Sequence, residues 1–216
     1  MKTCKQGFEI ITPLDNEYIT KHIERCGRIC YKSESNITDE SAEKFIRGII
    51  KRGHESVIEH YSFSVKFITD RSVTHEIVRH RIASYSQESQ RYVKYAGNNE
   101  LTFIEPSYLD FESDDQVDKL MCDLWRDTML ETEVGYNKML ENGATPEKAR
   151  AVLPNSTRTE IIMTANLRSW RNFMKLRTDR TAHPQIRELS QQLLMELKKH
   201  IPVFFEDFDL GYKNEK

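Results

Sequence analysis

The chain has 216 residues, 38% of them hydrophobic and 31% charged, with a net charge of −2 at pH 7. That composition describes a soluble globular protein long enough to bury a core. No apolar run approaches the roughly 20 residues that cross a bilayer, and MKTCKQGFEI holds no signal-peptide apolar core, so a cytoplasmic location and no membrane partner are expected.

In chain order, 8–12 (FEIIT) reads as a short strand, and Asp15 can cap a helix running to about Arg28. Thr38 or Asp39 starts the next helix, with Phe45, Ile46, Ile49 and Ile50 on one face and Gly53 just past its end. GHESVIEH, 53–60, is too polar for a core. From 61 to 67, Tyr61, Phe63, Val65 and Phe67 alternate with Ser62, Ser64 and Lys66, the pattern of a half-buried strand. Asp70 can cap a helix from 71 to about 81, and 91–95 and 101–104 read as strands around the AGNN turn.

Further on, Val117, Met121, Leu124, Trp125, Met129, Tyr136 and Leu140 recur at helical spacing up to Gly143, predicting a long acidic helix with one core face. Thr145-Pro146-Glu147 opens a short helix that stops at Pro154. A strand over 160–165 and helices over 167–176 and 184–200 complete the list. The mixture lacks a regular strand–helix alternation, and no linker or repeat interrupts it. The expected fold is α+β, one domain over 1–216 with a central, mainly antiparallel sheet packed by helices, plus long helical segments. Cys4, Cys26, Cys30 and Cys122 form no C-x-x-C pair and read as buried or half-buried thiols.

Charge is unevenly placed. Residues 105–133 carry ten acids against Lys119 and Arg126, a balance of −8, whereas 71–94 balance at +3 and 150–180 at +5. Two arginine-rich segments in an acidic protein point to a confined anion site, and nucleic acid is not the expected partner. The densest stretch is RHRIASYSQESQRY at 79–92. Arginine presents a rigid fork of donors that matches phosphate and carboxylate oxygens. Helix-terminal arginines at 79 and 81 have a plain structural explanation in the helix dipole, but Gln87, Ser89 and Arg91 come after the helix should end.

Other chemistries fit less well. His54-Glu55 with His60 spaces its histidines six apart, and His75-Glu76 with His80 spaces them five apart. A zinc-protease helix needs four, since i+5 lies about 140° round, so no metal is expected. No G-x-G-x-x-G or P-loop is present. Ser89 with His80 as base lacks a third group to orient the histidine, and a hydrogen-bonding role is the better reading.

Arg79-His80-Arg81, seven residues, Ser89, one residue, Arg91 resembles the RHR-x7-S-x-R signature of the flavin-dependent thymidylate synthases. GHESVIEH at 53–60 and ARAVLPNSTRTEIIMTANLRSWRNFMKLRTD at 149–179 resemble two further blocks of that family. The resemblance implies conversion of dUMP to dTMP with methylenetetrahydrofolate as one-carbon donor, NADPH as reductant and FAD as cofactor, for DNA-precursor synthesis. It also implies a homotetramer with shared active sites. Carried over by position, it places FAD against Arg79, His80 and Arg81, with His54, Ser56, Glu59 and Gln87 nearby, and against Asn166, Leu167, Arg168 and Asn172. Cys30 falls where relatives offer a serine. The nucleotide falls to Glu76, Ile77, Val78, Arg79, Gln87, Glu88, Ser89, Gln90, Arg91, Arg150 and Arg177, with Glu76 and Gln87 standing where relatives can have Gln and Glu.

Physical chemistry gives the same residues work to do. Arg91 and Arg150 can supply paired guanidinium forks to a monophosphate. Arg177 can stabilise negative charge built on the N3–C4–O4 side of uracil as the ring is activated, making it the candidate catalytic electrophile. With no evident activated cysteine, a route without a covalent enzyme–nucleotide adduct is expected. Two alternatives stay open: a non-catalytic nucleotide- or RNA-binding module using the arginines, and a metal-dependent hydrolase using His54, His60, His75 and His80.

Overall fold

The computed structural model describes residues 1–95 and 100–209, so the AGNN turn at 96–99 lies outside the described residues. The fold is α+β. Strands β2 (Gly7–Ile10), β3 (Ser62–Asp70), β4 (Ala83–Gln87) and β6 (Arg158–Asn166) form a sheet in the order β2-β3-β6-β4. Two further strands, β1 (Lys2–Cys4) and β5 (Thr102–Ile104), pair in parallel, Lys2 opposite Thr102. Partner numbers fall as β3 ascends: Leu167 N–H donates to the Tyr61 carbonyl, Ser64 meets Thr164 and Lys66 faces Glu160. β3 and β6 are therefore antiparallel. The same descent, Ile11 on Ser64 and Gln6 on Thr69, makes β2 and β3 antiparallel.

The chain divides into two compact units, and each of the four sheet strands contributes residues to both. The first unit comprises Met1–Phe8, Lys66–Arg79 and Tyr85–Ile162. It holds α3 (Arg71–Ile77), α4 (Gln116–Glu141), α5 (Pro146–Ala149) and a 3-10 turn at Arg150–Val152. Tyr95, Leu101, Phe103, Met129, Tyr136 and Ala149 form its core cluster. The second unit comprises Glu9–Val65, His80–Ser84 and Met163–Lys216. Its helices are α1 (Asn16–Ile29), α2 (Ser41–Lys51), α6 (Leu167–Arg177) and α7 (Pro184–His200). Among the described residues no helix is long and apolar enough to cross a membrane.

Most elements follow local rules. Asp15 accepts a hydrogen bond from Tyr18 N–H and Asp70 from Val73 N–H, so both caps stand where the spacing places them. α2 ends in a Schellman motif: Gly53, at φ +73°, donates to the Ile50 carbonyl, and His54 donates to that of Ile49. Gly53 thereby turns the chain into a 3-10 segment at Glu55–His60, whose Ile58 is buried.

Four expectations need correction. α3 ends at Ile77 rather than near Arg81, because the Tyr85 hydroxyl donates to the Ile77 carbonyl at 3.0 Å and the chain turns there. Residues 91–95 are not a strand: Tyr92 and Val93 N–H both return to the Ser89 carbonyl, and Tyr95 is carried into the core. The long helix buries Cys122, Met129 and Tyr136, whereas Val117, Met121 and Leu124 are more than half exposed. Its apolar residues thus occupy two faces, of which only one meets the core. Cys30 is exposed where a buried thiol is expected, because it caps the C-terminus of α1. Burial raises the Cys4 and Cys122 thiols above their ordinary pKa.

Candidate active site

In the second unit a cavity of about 640 Å³ opens against α6. Asn166 caps α6, its side-chain oxygen accepting from Ser169 N–H at 2.8 Å. From there Arg168, Arg171, Asn172 and Lys175 stand at i, i+3, i+4 and i+7, the spacing that stacks side chains on one helical face. All four line the cavity with Asn166, facing Glu55, Glu59, Arg81, Asp207 and Phe208. The opposite face of α6 is apolar. Trp170 stacks on Phe63 with ring centroids 5.0 Å apart and donates its indole N–H to the Phe63 carbonyl, fixing the helix on β3.

The cavity's charges are partly committed. Arg168 pairs with Glu59 at 2.6 Å. Arg171, its side chain 8% exposed, donates to Glu55, to both oxygens of Asp207 and to the Phe204 carbonyl. Among the described residues Arg81 and Lys175 enter no ion pair, so their charge faces the cavity uncompensated. The hydrogen bonds from Arg171 hold the Asp207 carboxyl below its ordinary pKa, outweighing partial burial.

His80 leads away from this cavity into the core. It is 6% exposed, and its ring lies 4.8 Å from that of Phe173. Its Nε2 accepts from the Arg177 Nε at 2.8 Å. A guanidinium always donates, so this imidazole is neutral with its proton on Nδ1. The contact fixes the base of the Arg177 fork and excludes His80 as a base for Ser89 in this arrangement.

The first unit carries the other half of the signature. Gln87 Nε2 donates to Thr74 Oγ1 at 2.9 Å. Glu88 turns inward: its carboxylate accepts the Tyr95 hydroxyl at 2.6 Å and lies 3.9 Å from Arg158, while Arg71 donates to its carbonyl. Burial first, then this hydrogen bond, pushes the Tyr95 phenol well above its ordinary pKa. With Glu88 anchored, the half-buried Ser89 and Gln90 and the exposed Arg91 follow at the surface, Ser89 Oγ accepting from Arg91 N–H. Arg91 donates its Nε to Glu147 at 2.8 Å and lies over the Tyr92 ring. Arg150, one turn beyond Glu147, is exposed.

The sequence-chosen residues thus fall into distinct settings. Glu59, Arg81, Asn166, Arg168 and Asn172 share the cavity, Ser56 stands exposed on the 3-10 segment that supplies Glu59, and His54 stands exposed just before it. Leu167 and Ile77 are fully buried, so they seat their helices and offer no side chain to a ligand. Glu76 is half-buried, and Val78 and Arg79 are exposed at the end of α3. Sequence reasoning missed Glu55, Arg171, Lys175, Asp207 and Phe208. The polar stripe on α6 was visible as spacing, whereas Asp207 and Phe208 come from a distant turn with no pattern. Among the described residues no group of three or more His, Cys, Asp or Glu could hold a metal ion.

A cavity lined by free cations and amides suits an anionic cofactor bearing phosphates, which fits FAD on the chemistry of its donors. Comparison with known proteins gives a consistent picture. Residues 15–203 match the family described as thymidylate synthase complementing protein. Flavin-dependent thymidylate synthase from Pyrococcus furiosus is 35% identical over 190 residues, covering 87% of this chain and 75% of the relative. The Mycobacterium avium enzyme of the same name is 38% identical over 202 residues, covering 88% and 79%. The crystal structure of a UMP/dUMP methylase, PolB from Streptomyces cacaoi bound with 5-Br dUMP, shares the fold with a TM-score of 0.77 at 23% identity, covering 95% of this chain and 96% of that one.

Proposed function

Since the chain belongs to the flavin-dependent thymidylate synthase family, we propose that it methylates dUMP to dTMP, using methylenetetrahydrofolate as one-carbon donor, NADPH as reductant and FAD as cofactor. The observation that carries this reading is the Arg177–His80 contact, which orients a guanidinium from the second signature block by the histidine of the first. FAD, when bound, supplies the hydride chemistry. The chain's own residues bind, orient and exclude water. Arg81 and Lys175, with the Asn166 and Asn172 amides, hold the cofactor's anionic portion in the α6 cavity. Arg91 and Arg150 hold the nucleotide phosphate, and Gln87 and Ser89 supply neutral hydrogen bonds beside it. Arg177 stabilises the charge that develops on the uracil carbonyl side.

We assign the whole of 1–216 to one such domain, acting as a cytoplasmic homotetramer. Active sites shared among subunits allow the cofactor-side and nucleotide-side residues of one site to come from different copies. Cys30, exposed at the C-terminus of α1, stands where a serine can touch FAD in relatives, and no role is assigned to its thiol.

The test is direct. Purified protein should be yellow or take up FAD, and NADPH should bleach the flavin absorbance. Protein that ignores FAD but binds RNA with steep salt dependence would support the non-catalytic reading instead.

One prediction concerns Glu147. Its carboxylate holds Arg91 by Nε, which leaves both terminal nitrogens of the fork for a phosphate. Glu147→Ala should raise KM for dUMP about three- to tenfold, the cost of ordering one long side chain on binding. The kcat should stay within about twofold, since the pair is remote from the reacting ring. Steady-state kinetics on both constants decides this. An unchanged or lower KM would show that Glu147 competes with the phosphate instead.

A further inference from the structure

The C-terminal turn offers a residue that the proposed function leaves unused. After the 3-10 segment Pro202–Phe204, residues 206–208 are each anchored. Glu206 pairs with Arg47, Asp207 with Arg171, and the Phe208 carbonyl accepts from the Lys198 ammonium. The Arg171 guanidinium lies over the Phe208 ring, 4.9 Å from its centroid. Phe205, fully buried, sits 6.0 Å away ring to ring. Phe208 is therefore mounted on a fixed base, and it is among the residues lining the α6 cavity with Arg81, Asn172 and Lys175. An apolar plane kept half-exposed among cations and amides has no purpose in core packing. A cavity with free cations at one part and a fixed aromatic ring at another matches a ligand that joins phosphates to a planar heterocycle.

We propose that Phe208 is a ring-binding wall of the cofactor cavity, stacking on a planar heterocycle of the flavin cofactor, with Arg171 and Asp207 as its positioning residues. The inference rests on the FAD reading above. Removing a stacking aromatic weakens binding of a nucleobase-like ring by about tenfold or more, and pre-mounting the ring reduces the ordering cost of that contact.

The experiment is titration of apo-protein with FAD and with FMN, followed by flavin fluorescence, for wild type, Phe208→Leu and Phe208→Tyr. Leucine keeps an apolar cover on Arg171, so folding, checked by thermal melting, should hold. Phe208→Leu should raise the FAD dissociation constant about tenfold, and Phe208→Tyr should restore it. Weaker binding of FAD alone places the adenine on Phe208, whereas equal weakening of FAD and FMN places the isoalloxazine there. Unchanged FAD affinity in a folded Phe208→Leu protein overturns the inference while leaving the enzyme reading intact. Wild-type protein that binds no flavin overturns both.

Discussion

Arg177→Ala is expected to lower dTMP formation by about 10²–10³-fold, the usual loss when one preorganised donor to developing negative charge is removed. FAD should stay bound, because Arg177 is not among the residues lining the α6 cavity. Flavin absorbance and chromatographic assay of dTMP on the same preparation separate the two effects. Lysine should rescue poorly at this position. Its ammonium is a point charge without the planar fork, and it cannot both reach His80 Nε2 through a side nitrogen and present two parallel donors outward. His80→Ala should cost less than Arg177→Ala, because it frees the guanidinium to wander without removing it. Unchanged turnover in Arg177→Ala would remove the residue from catalysis, and loss of FAD together with activity would place it in the cofactor's pocket.

Much of the fold was legible because single residues decide it locally. Asp15, Asp70, Gly53 and Pro146 mark helix ends by capping and backbone chemistry, and the alternation from Tyr61 to Phe67 marks a strand with one buried face. β4 escaped notice because it is an edge strand reading Ala-Ser-Tyr-Ser-Gln, with no apolar face to alternate. The expected strand at 91–95 was suggested by the apolar Val93 and Tyr95. Their burial is real, but it comes from packing against Met129 and Tyr136 rather than from a sheet. In the candidate site, arginines announced an anion, but not which of them are already neutralised. Arg171 and Lys175 look alike in sequence. One is locked to three acceptor groups, whereas the other meets the cavity free, and that difference is set by Asp207, over thirty residues downstream.

Arg171→Ala should therefore destabilise the protein by about 3 kcal/mol, near the lower end for breaking a buried ion pair because Asp207 remains 47% exposed and can rehydrate. For a chain of this size that is a fall of about 6–12 °C in melting temperature. The reason is asymmetry: the guanidinium is nearly dry, and its removal strands the Phe204 carbonyl and leaves Glu55 and Asp207 as neighbouring anions in one cavity. Asp207→Asn should cost less, since the amide oxygen still accepts from one nitrogen. Its pH dependence provides the sharper check. The folded carboxyl titrates below its ordinary value, so the ion pair contributes fully above that value and is lost as pH falls through the folded pKa. The stability gap between wild type and Asp207→Asn should be widest at neutral pH, shrink below roughly pH 5 and close in stronger acid. A gap that is flat across this range would mean that Asp207 acts through packing alone. Because the same pair carries Phe208, Arg171→Ala should also weaken FAD binding at temperatures where the protein is still folded. Full affinity with lowered stability would assign the bridge to the fold and not to the cavity wall.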